Sequence, residues 1–304
     1  VLAEEIARRL DISLCKVELD NFANGETSCR LLESVRGDDV FIIQSHCNDV
    51  NDAIMEQAIM IDAAKRASAR SITAVCPFFA YARQDRKSNG REPITARLVV
   101  DILSTAGADR IMTMDLHSGQ IQGFMDGPLD HLVSRPLFVE YIKDTFPPDQ
   151  IVIVSPDAGR VKSAERYAND LSCEIAIIHK HRSRQVKNSV EAKHLIGTVK
   201  DKICIVVDDM ADTAGTLCAA ADLLVANGAR EVHGVVGHGI FSDPAATRLH
   251  DSAFTSVITT DTFPARHDID KLEVVSVAAV FAQAIEAVAT GGSISEIFNK
   301  DNQQ

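Results

Sequence analysis

The stretch Ile203-Cys204-Ile205-Val206-Val207-Asp208-Asp209-Met210-Ala211-Asp212-Thr213-Ala214-Gly215-Thr216 restricts this chain to few folds. An apolar run ending in two acids reads as a buried strand delivering its C-terminal edge to solvent. Small and hydroxylated residues follow, and a helix-like segment begins at Ala214. Free N–H groups at a helix start attract phosphate oxygens, and small residues let the backbone come close. Thr213 and Thr216 add hydroxyl donors, while Asp208 and Asp209 are acceptors suited to vicinal ribose hydroxyls. A plain βα turn, its helix capped by Asp212 or Thr213, would carry the same loop residues. The acidic pair directly upstream favours a sugar-phosphate loop.

The rest of the chain repeats this strand-then-helix order. Strands are expected over residues 40–44, 71–76, 110–114, 151–154, 174–178, 203–207, 231–236 and 254–259. Helices are expected over 50–67, 93–106, 159–169, 214–227 and 277–289, and Leu2 to Ala7 also reads as helix. Such alternation predicts an α/β fold with largely parallel sheets, whose ligands gather at the carboxyl ends of strands. A faint internal repeat runs through it. Phe41-Ile42-Ile43, a helix and the 71–76 strand match Ile205-Val206-Val207, a helix and the 231–236 strand. Ala69-Arg70 and Ala229-Arg230 stand at equivalent points. The first copy has Gln44-Ser45-His46 in place of the acids and lacks the loop. Two related domains are therefore expected, with Phe146-Pro147-Pro148-Asp149 or a point about ten residues earlier as the join. The boundary adopted gives residues 1–137 to the first domain and 138–289 to the second, with 290–304 rejoining the first.

The 304 residues suit two domains, and the net charge of −12 argues against nonspecific nucleic-acid binding. No apolar run approaches the roughly 18 residues of a membrane span, and no signal-peptide pattern opens the chain. Seven scattered cysteines without a C-x-x-C pair read as reduced thiols, which points to the cytoplasm.

Four more strand-end segments carry chemistry. Pro77-Phe78-Phe79-Ala80-Tyr81-Ala82-Arg83-Gln84-Asp85-Arg86-Lys87 sets aromatics beside cations, so a ring or an Arg plane can stack on a base while charges face phosphates. Asp115-Leu116-His117 leads into Gly119 and on to Gly123-Phe124. His117 there suits a metal, a phosphate or a structural bond. In Ser155-Pro156-Asp157-Ala158-Gly159-Arg160, Asp157 suits Mg²⁺ or a helix cap. The segment from His179 to Asn188 is basic throughout, as expected of a flap over an anionic substrate or of a solvated loop. Lys180 and Arg182, two apart, point the same way if it stays extended.

Together these segments resemble ribose-phosphate pyrophosphokinases, the synthetases that make 5-phosphoribosyl 1-diphosphate (PRPP). The resemblance runs over nearly the whole chain. It implies two phosphoribosyltransferase-like domains, each with a central, largely parallel sheet flanked by helices. It also implies transfer of the β,γ-diphosphoryl unit of ATP to the 1-hydroxyl of ribose 5-phosphate, releasing AMP. By match, Asp208, Asp209, Asp212, Thr213, Ala214, Gly215 and Thr216 bind ribose 5-phosphate. ATP falls to Arg83 and Gln84, and to Phe22, Asn24, Gly25 and Glu26 from a neighbouring subunit. His117 and Asp157 serve Mg²⁺–ATP, and Lys180 and Arg182 are the catalytic flap cations. A homohexamer with phosphate and ADP as effectors is implied as well.

The match has departures. Arg160 stands where many members have a second glycine, Asn24 replaces a common acid, and Asp243 in Ser242-Asp243-Pro244 replaces a common Gly of the effector loop. The flap matches firmly at its Lys and Arg alone. The family's first strand is expected to precede Val1. Two other functions fit parts of the pattern. A PRPP-consuming phosphoribosyltransferase accounts for the 208–216 loop but not for the ATP-like segments. A catalytically silent regulatory homologue would not need Lys180, Arg182, His117 and Asp208.

Overall fold

The structure, a computed structural model, describes residues 2–181, 192–264 and 268–297. It comprises two compact units, one drawn from residues 1–133 and 276–304 and the other from 134–275.

In chain order the first unit contains α1 (Leu2–Arg9), β1 (Val17–Asn21), β2 (Thr27–Leu31), β3 (Asp39–Ile43) and α2 (Val50–Arg66). Next come β4 (Ser71–Cys76), α3 (Thr95–Ala106), β5 (Arg110–Met114) and β6 (Leu129–Leu132). The second unit holds α4 (Arg135–Thr145), β7 (Ile151–Ser155), α5 (Val161–Leu171), β8 (Glu174–His181) and β9 (Ala192–Ile196). It continues through β10 (Ile203–Ala211), α6 (Gly215–Ala226), β11 (Glu231–Gly239), α7 (Ala245–Asp251), β12 (Ser256–Thr260) and β13 (Leu272–Val275). Helices α8 (Ala278–Thr290) and α9 (Ile294–Ile297) return to the first unit, where α8 packs on α1.

The larger sheet has the order β13-β12-β11-β10-β7-β8-β9, parallel throughout except for β9 at its edge. Alternate residues of its strands feed opposite cores. Val152, Val154, Cys204, Val206, Val232 and Val236 face α6 and α7. Ile151, Ile153, Ile203, Ile205, Val207 and Val235 face α4 and α5. Burial on both faces is why these strands read as unbroken apolar runs. The smaller sheet, β3-β4-β5-β6, is parallel, and β1 and β2 form a separate antiparallel hairpin. An α/β fold built on largely parallel sheets is thus what the alternation predicts.

Several expectations change. Strands β10 and β11 continue to Ala211 and Gly239, because parallel pairing resumes after Asp208↔Val236 with Met210↔His238 and Ala211↔Gly239. Asp208 and Asp209 therefore lie within a strand rather than after it. Phe146, considered as part of a linker, is buried in the α4–α5 core. Residues 276–289, expected in the second domain, carry α8, which packs on α1. Among the described residues no helix is long and apolar enough to cross a membrane.

The internal repeat is visible bond by bond. Gly37 N donates to Ser68 O at 2.9 Å, and Asp201 N to Gly228 O at 2.8 Å. Ala69 N donates to Ala64 O at 3.1 Å, and Ala229 N to Leu224 O at 3.0 Å. Arg70 N reaches Asp38 O at 2.8 Å, and Arg230 N reaches Lys202 O at 2.9 Å. Ser68 and Gly228, which end the two helices, both take positive φ, 68° and 88°.

The strand ends then diverge. In the first copy His46 is fully buried, and its Nδ1 accepts from Ala80 N at 3.3 Å. Its Nε2–H donates to Gln57 Oε1 at 2.8 Å. Gln57 Nε2 in turn donates to Ile42 O and Val75 O, at 3.1 and 3.3 Å. The protein's own polar groups thus bond one another just after the position that the second copy keeps for acids.

Burial pushes His46 down to about 4 from 6.5, against the smaller opposing effect of its Gln57 bond. A base depressed on folding means that the unfolded chain holds the extra proton. Its stabilising contribution is therefore complete above pH 6.5 and is lost as pH falls towards 4. Urea unfolding at pH 7 and pH 4.5 should record a loss approaching roughly 3 kcal/mol from this group, and His46→Gln should lose correspondingly less over the same interval.

Candidate active site

Strand β10 delivers the acidic pair. Asp208 Oδ1 accepts from the Asp209 N–H at 2.9 Å, which turns the first carboxylate towards the second. Arg160 meets both, with Nε 3.2 Å from Asp208 Oδ1 and Nη2 2.5 Å from Asp209 Oδ2. Burial above all, then the charge of Asp209 and a hydrogen bond from its side chain, raise Asp208 above the usual carboxylate range. The Arg160 charge and the Asp209 N–H oppose that rise. The pair is thus a strained electrostatic site, ready to gain from hydroxyl donors.

Ala214, rather than Asp212 or Thr213, occupies the N-cap position of α6, in the left-handed region with φ 56°. A non-glycine residue at positive φ costs about 1 kcal/mol, and such strain collects at functional sites. Thr213 and Thr216 are exposed, while Ala214 and Leu217 anchor the loop in the core.

Sequence reasoning missed Arg248 on α7. Its Nη1 donates to Thr213 O at 2.8 Å and would lie 3.2 Å from a Cβ placed on Gly215. The guanidinium fills the space beneath the loop, which explains a glycine at that point. Lys271 Nζ fastens the far end of α7 through Leu249 O, His250 O and Ser252 O, at 3.2, 2.8 and 2.9 Å. No local sequence pattern announces this support, since it comes from packing between α6 and α7.

Asp157 follows β7 and caps the turn Ala158–Arg160. Its Oδ1 accepts from Gly159 N at 2.8 Å and Arg160 N at 3.2 Å. Both bonds fall on Oδ1, and Oδ2 takes none among the described residues. A half-buried carboxylate with one committed oxygen fits a hard cation that keeps most of its water and phosphate ligands. Among the described residues no group of three or more His, Cys, Asp or Glu could enclose a metal, so a closed structural metal site is not built there.

In the first unit His117 lies just past β5, half-buried. The preceding Leu116 N–H donates to Nε2 of buried His131 at 2.9 Å, which ties this turn to β6. His131 was also missed, because β6 carries no strand signal of its own. After β4, Arg83 and Gln84 are exposed at a turn held by Gln84 N to Tyr81 O, 2.8 Å. The aromatic neighbours behave differently from expectation. Phe78 and Phe79 are buried, and the Tyr81 hydroxyl donates to Asn51 Oδ1 at 2.6 Å. Of the cations expected to stack on a base, Arg83 is exposed.

Phe22, Asn24, Gly25 and Glu26 form the tip of the β1–β2 hairpin, and all four are exposed. Phe22 N to Glu26 O and Gly25 N to Phe22 O, both 2.8 Å, close a turn with Gly25 at φ 90°. Lys180 lies on β8, opposite Lys193 of β9. Arg182 and the rest of the flap to residue 191 lie outside the described residues. The buried thiols offer no nucleophile, since burial pushes Cys76 and Cys204 up to about 12.

Comparison with known proteins identifies the family. A family model described as the N-terminal domain of ribose phosphate pyrophosphokinase matches residues 1–107. A second, the phosphoribosyl synthetase-associated domain, matches residues 184–299. The ribose-phosphate pyrophosphokinase of Streptomyces avermitilis is 49% identical over 301 residues, covering 98% of this chain and 93% of that protein. That of Bifidobacterium longum is 50% identical over 303 residues, covering 98% and 89%. The crystal structure of phosphoribosylpyrophosphate synthetase from Mycobacterium smegmatis matches with a TM-score of 0.90 and 47% identity, covering 96% of each chain. By this likeness over nearly its whole length, the chain belongs to the ribose-phosphate pyrophosphokinase family.

Proposed function

We propose that this protein transfers the β,γ-diphosphoryl unit of ATP to the 1-hydroxyl of ribose 5-phosphate, giving PRPP and AMP for nucleotide biosynthesis. The observation that carries this is the acidic end of β10 running through a short loop into the start of α6, in a chain that belongs to the pyrophosphokinase family. Asp208 and Asp209 accept hydrogen bonds from the ribose hydroxyls. N–H groups at the start of α6, with Thr213 and Thr216, take the 5-phosphate, and Asp212 orders the loop. Arg83 and Gln84 bind ATP, joined by the hairpin tip Phe22, Asn24, Gly25 and Glu26 of a neighbouring subunit. An exposed tip with no core of its own suits that reach.

Diphosphoryl transfer needs in-line placement and neutralised charge more than covalent help. Lys180 and Arg182 supply positive charge to the transferring oxygens as the flap closes over the substrates. Mg²⁺, when bound, would supply Lewis-acid stabilisation of phosphate charge, and Asp157 and His117 would be the protein groups that serve it. Homohexameric assembly, activation by phosphate, inhibition by ADP and a cytoplasmic location complete the proposal.

The PRPP-consuming alternative leaves the duplicated, loopless first copy unexplained. The silent homologue leaves the acidic pair and its supports without a purpose. AMP release from ATP, Mg²⁺ and ribose 5-phosphate tests the reading directly. Well-folded, assembled protein that forms no AMP would favour the silent homologue, and pyrophosphate release from PRPP with a base would favour the transferase.

Lys180→Ala should lower kcat by about 100-fold or more while changing KM little, because its charge is needed mainly in the transition state. Unchanged turnover would remove Lys180 from the mechanism. Asp212→Ala should raise the KM for ribose 5-phosphate by about tenfold, with the KM for ATP almost unmoved. Steady-state kinetics with each substrate varied separates the two effects.

A further inference from the structure

Arg160 joins two loops that are far apart in sequence. Its backbone N–H donates to Asp157 Oδ1 at 3.2 Å, within the turn that follows β7. Its side chain spans to the end of β10, with Nε 3.2 Å from Asp208 Oδ1 and Nη2 2.5 Å from Asp209 Oδ2. Consecutive residues of a strand point to opposite faces, so two adjacent aspartates do not converge by strand geometry alone. Like charges this close also drive each other apart. A planar guanidinium with donors on separate edges counters both tendencies, since it can hold one oxygen of each carboxylate. The side chains of Arg160, Asp208 and Asp209 are 21%, 20% and 10% exposed, so water screens these pairs weakly.

We infer that Arg160 is a positioning residue for ribose 5-phosphate, holding Asp208 and Asp209 convergent before the sugar arrives. Through Asp157 it couples their placement to the neighbouring loop. This rests on the assignment of Asp208 and Asp209 to the sugar. The gain is preorganisation, because the sugar then meets acceptors already oriented. An ammonium in place of the guanidinium keeps the charge but lacks the rigid planar fork that fixes the two carboxylates relative to one another.

The test uses the full-length enzyme, ribose 5-phosphate titrated calorimetrically without ATP, and steady-state kinetics for each substrate. Arg160→Ala should weaken ribose 5-phosphate binding about tenfold and raise its KM alike, with the KM for ATP changed less than twofold. Arg160→Lys should recover part of the loss. Should Arg160→Ala not fold, judged by thermal melting, Arg160→Gln is read by the same criteria, since it keeps volume and removes the charge. Wild-type sugar affinity in the folded variant overturns the inference, as does an equal rise in both KM values. Asp209→Asn separates the two levels. If it binds the sugar as the wild type does, the acid-pair assignment itself fails. If it weakens binding while Arg160→Ala does not, only the role of Arg160 fails.

Discussion

The second unit depends on the pairing of β10 with its neighbours. Buried on both faces between β7 and β11, this strand cannot slip by a residue without exchanging its two cores. Because pairing with β11 continues to Ala211, the backbone stays fixed through Asp208 and Asp209 as the environment turns polar. Two carboxylates are thereby held together near the carboxyl end of the strand, where burial and the charge of Asp209 disfavour ionisation of Asp208. Arg160 from one side and Arg248 beneath the following loop keep the arrangement from relaxing.

The two copies of the strand–helix–strand motif show what changes when such a site is given up. Their turns share the same hydrogen bonds, from Gly37 and Asp201 through Arg70 and Arg230. The copies part company at the strand end. One presents Asp208 and Asp209, and the other continues as Gln44-Ser45 into buried His46, which bonds Gln57, itself in contact with Cys76. This other copy then uses the backbone of the next segment, through the bond from Ala80 N to His46, to set the base of the turn that bears Arg83 and Gln84. A shared framework thus supports a ligand loop in one unit and a rigid platform in the other.

Legibility followed burial. Strands β4 and β5 have the bounds that their apolar runs predict, since both lie inside a sheet. The ends of β10 and β11 were read short because Asp208 and His238 look like terminators, whereas pairing carries the strands past them. The hairpin β1–β2 and edge strand β13 contain no buried residue and carry no alternation to read. Asp157 and His117 were legible as candidates because each follows a strand in a loop with recognisable chemistry, and Asp208 because an apolar run leads into an acidic pair. Arg248 and His131 were not, because what matters about them is a contact made across the fold. Arg160 was legible as a departure but not as a bridge.

The central claim is that residues 208–216 form the acceptor half of the site and act apart from the ATP segments. Amide hydrogen exchange with ribose 5-phosphate alone tests it most directly. The account predicts slowed exchange at Thr213 to Leu217 and at Gly159 and Arg160, with residues 22–26 and 78–84 unchanged. Protection at residues 22–26 or 78–84, with none in the loop before α6, would contradict it.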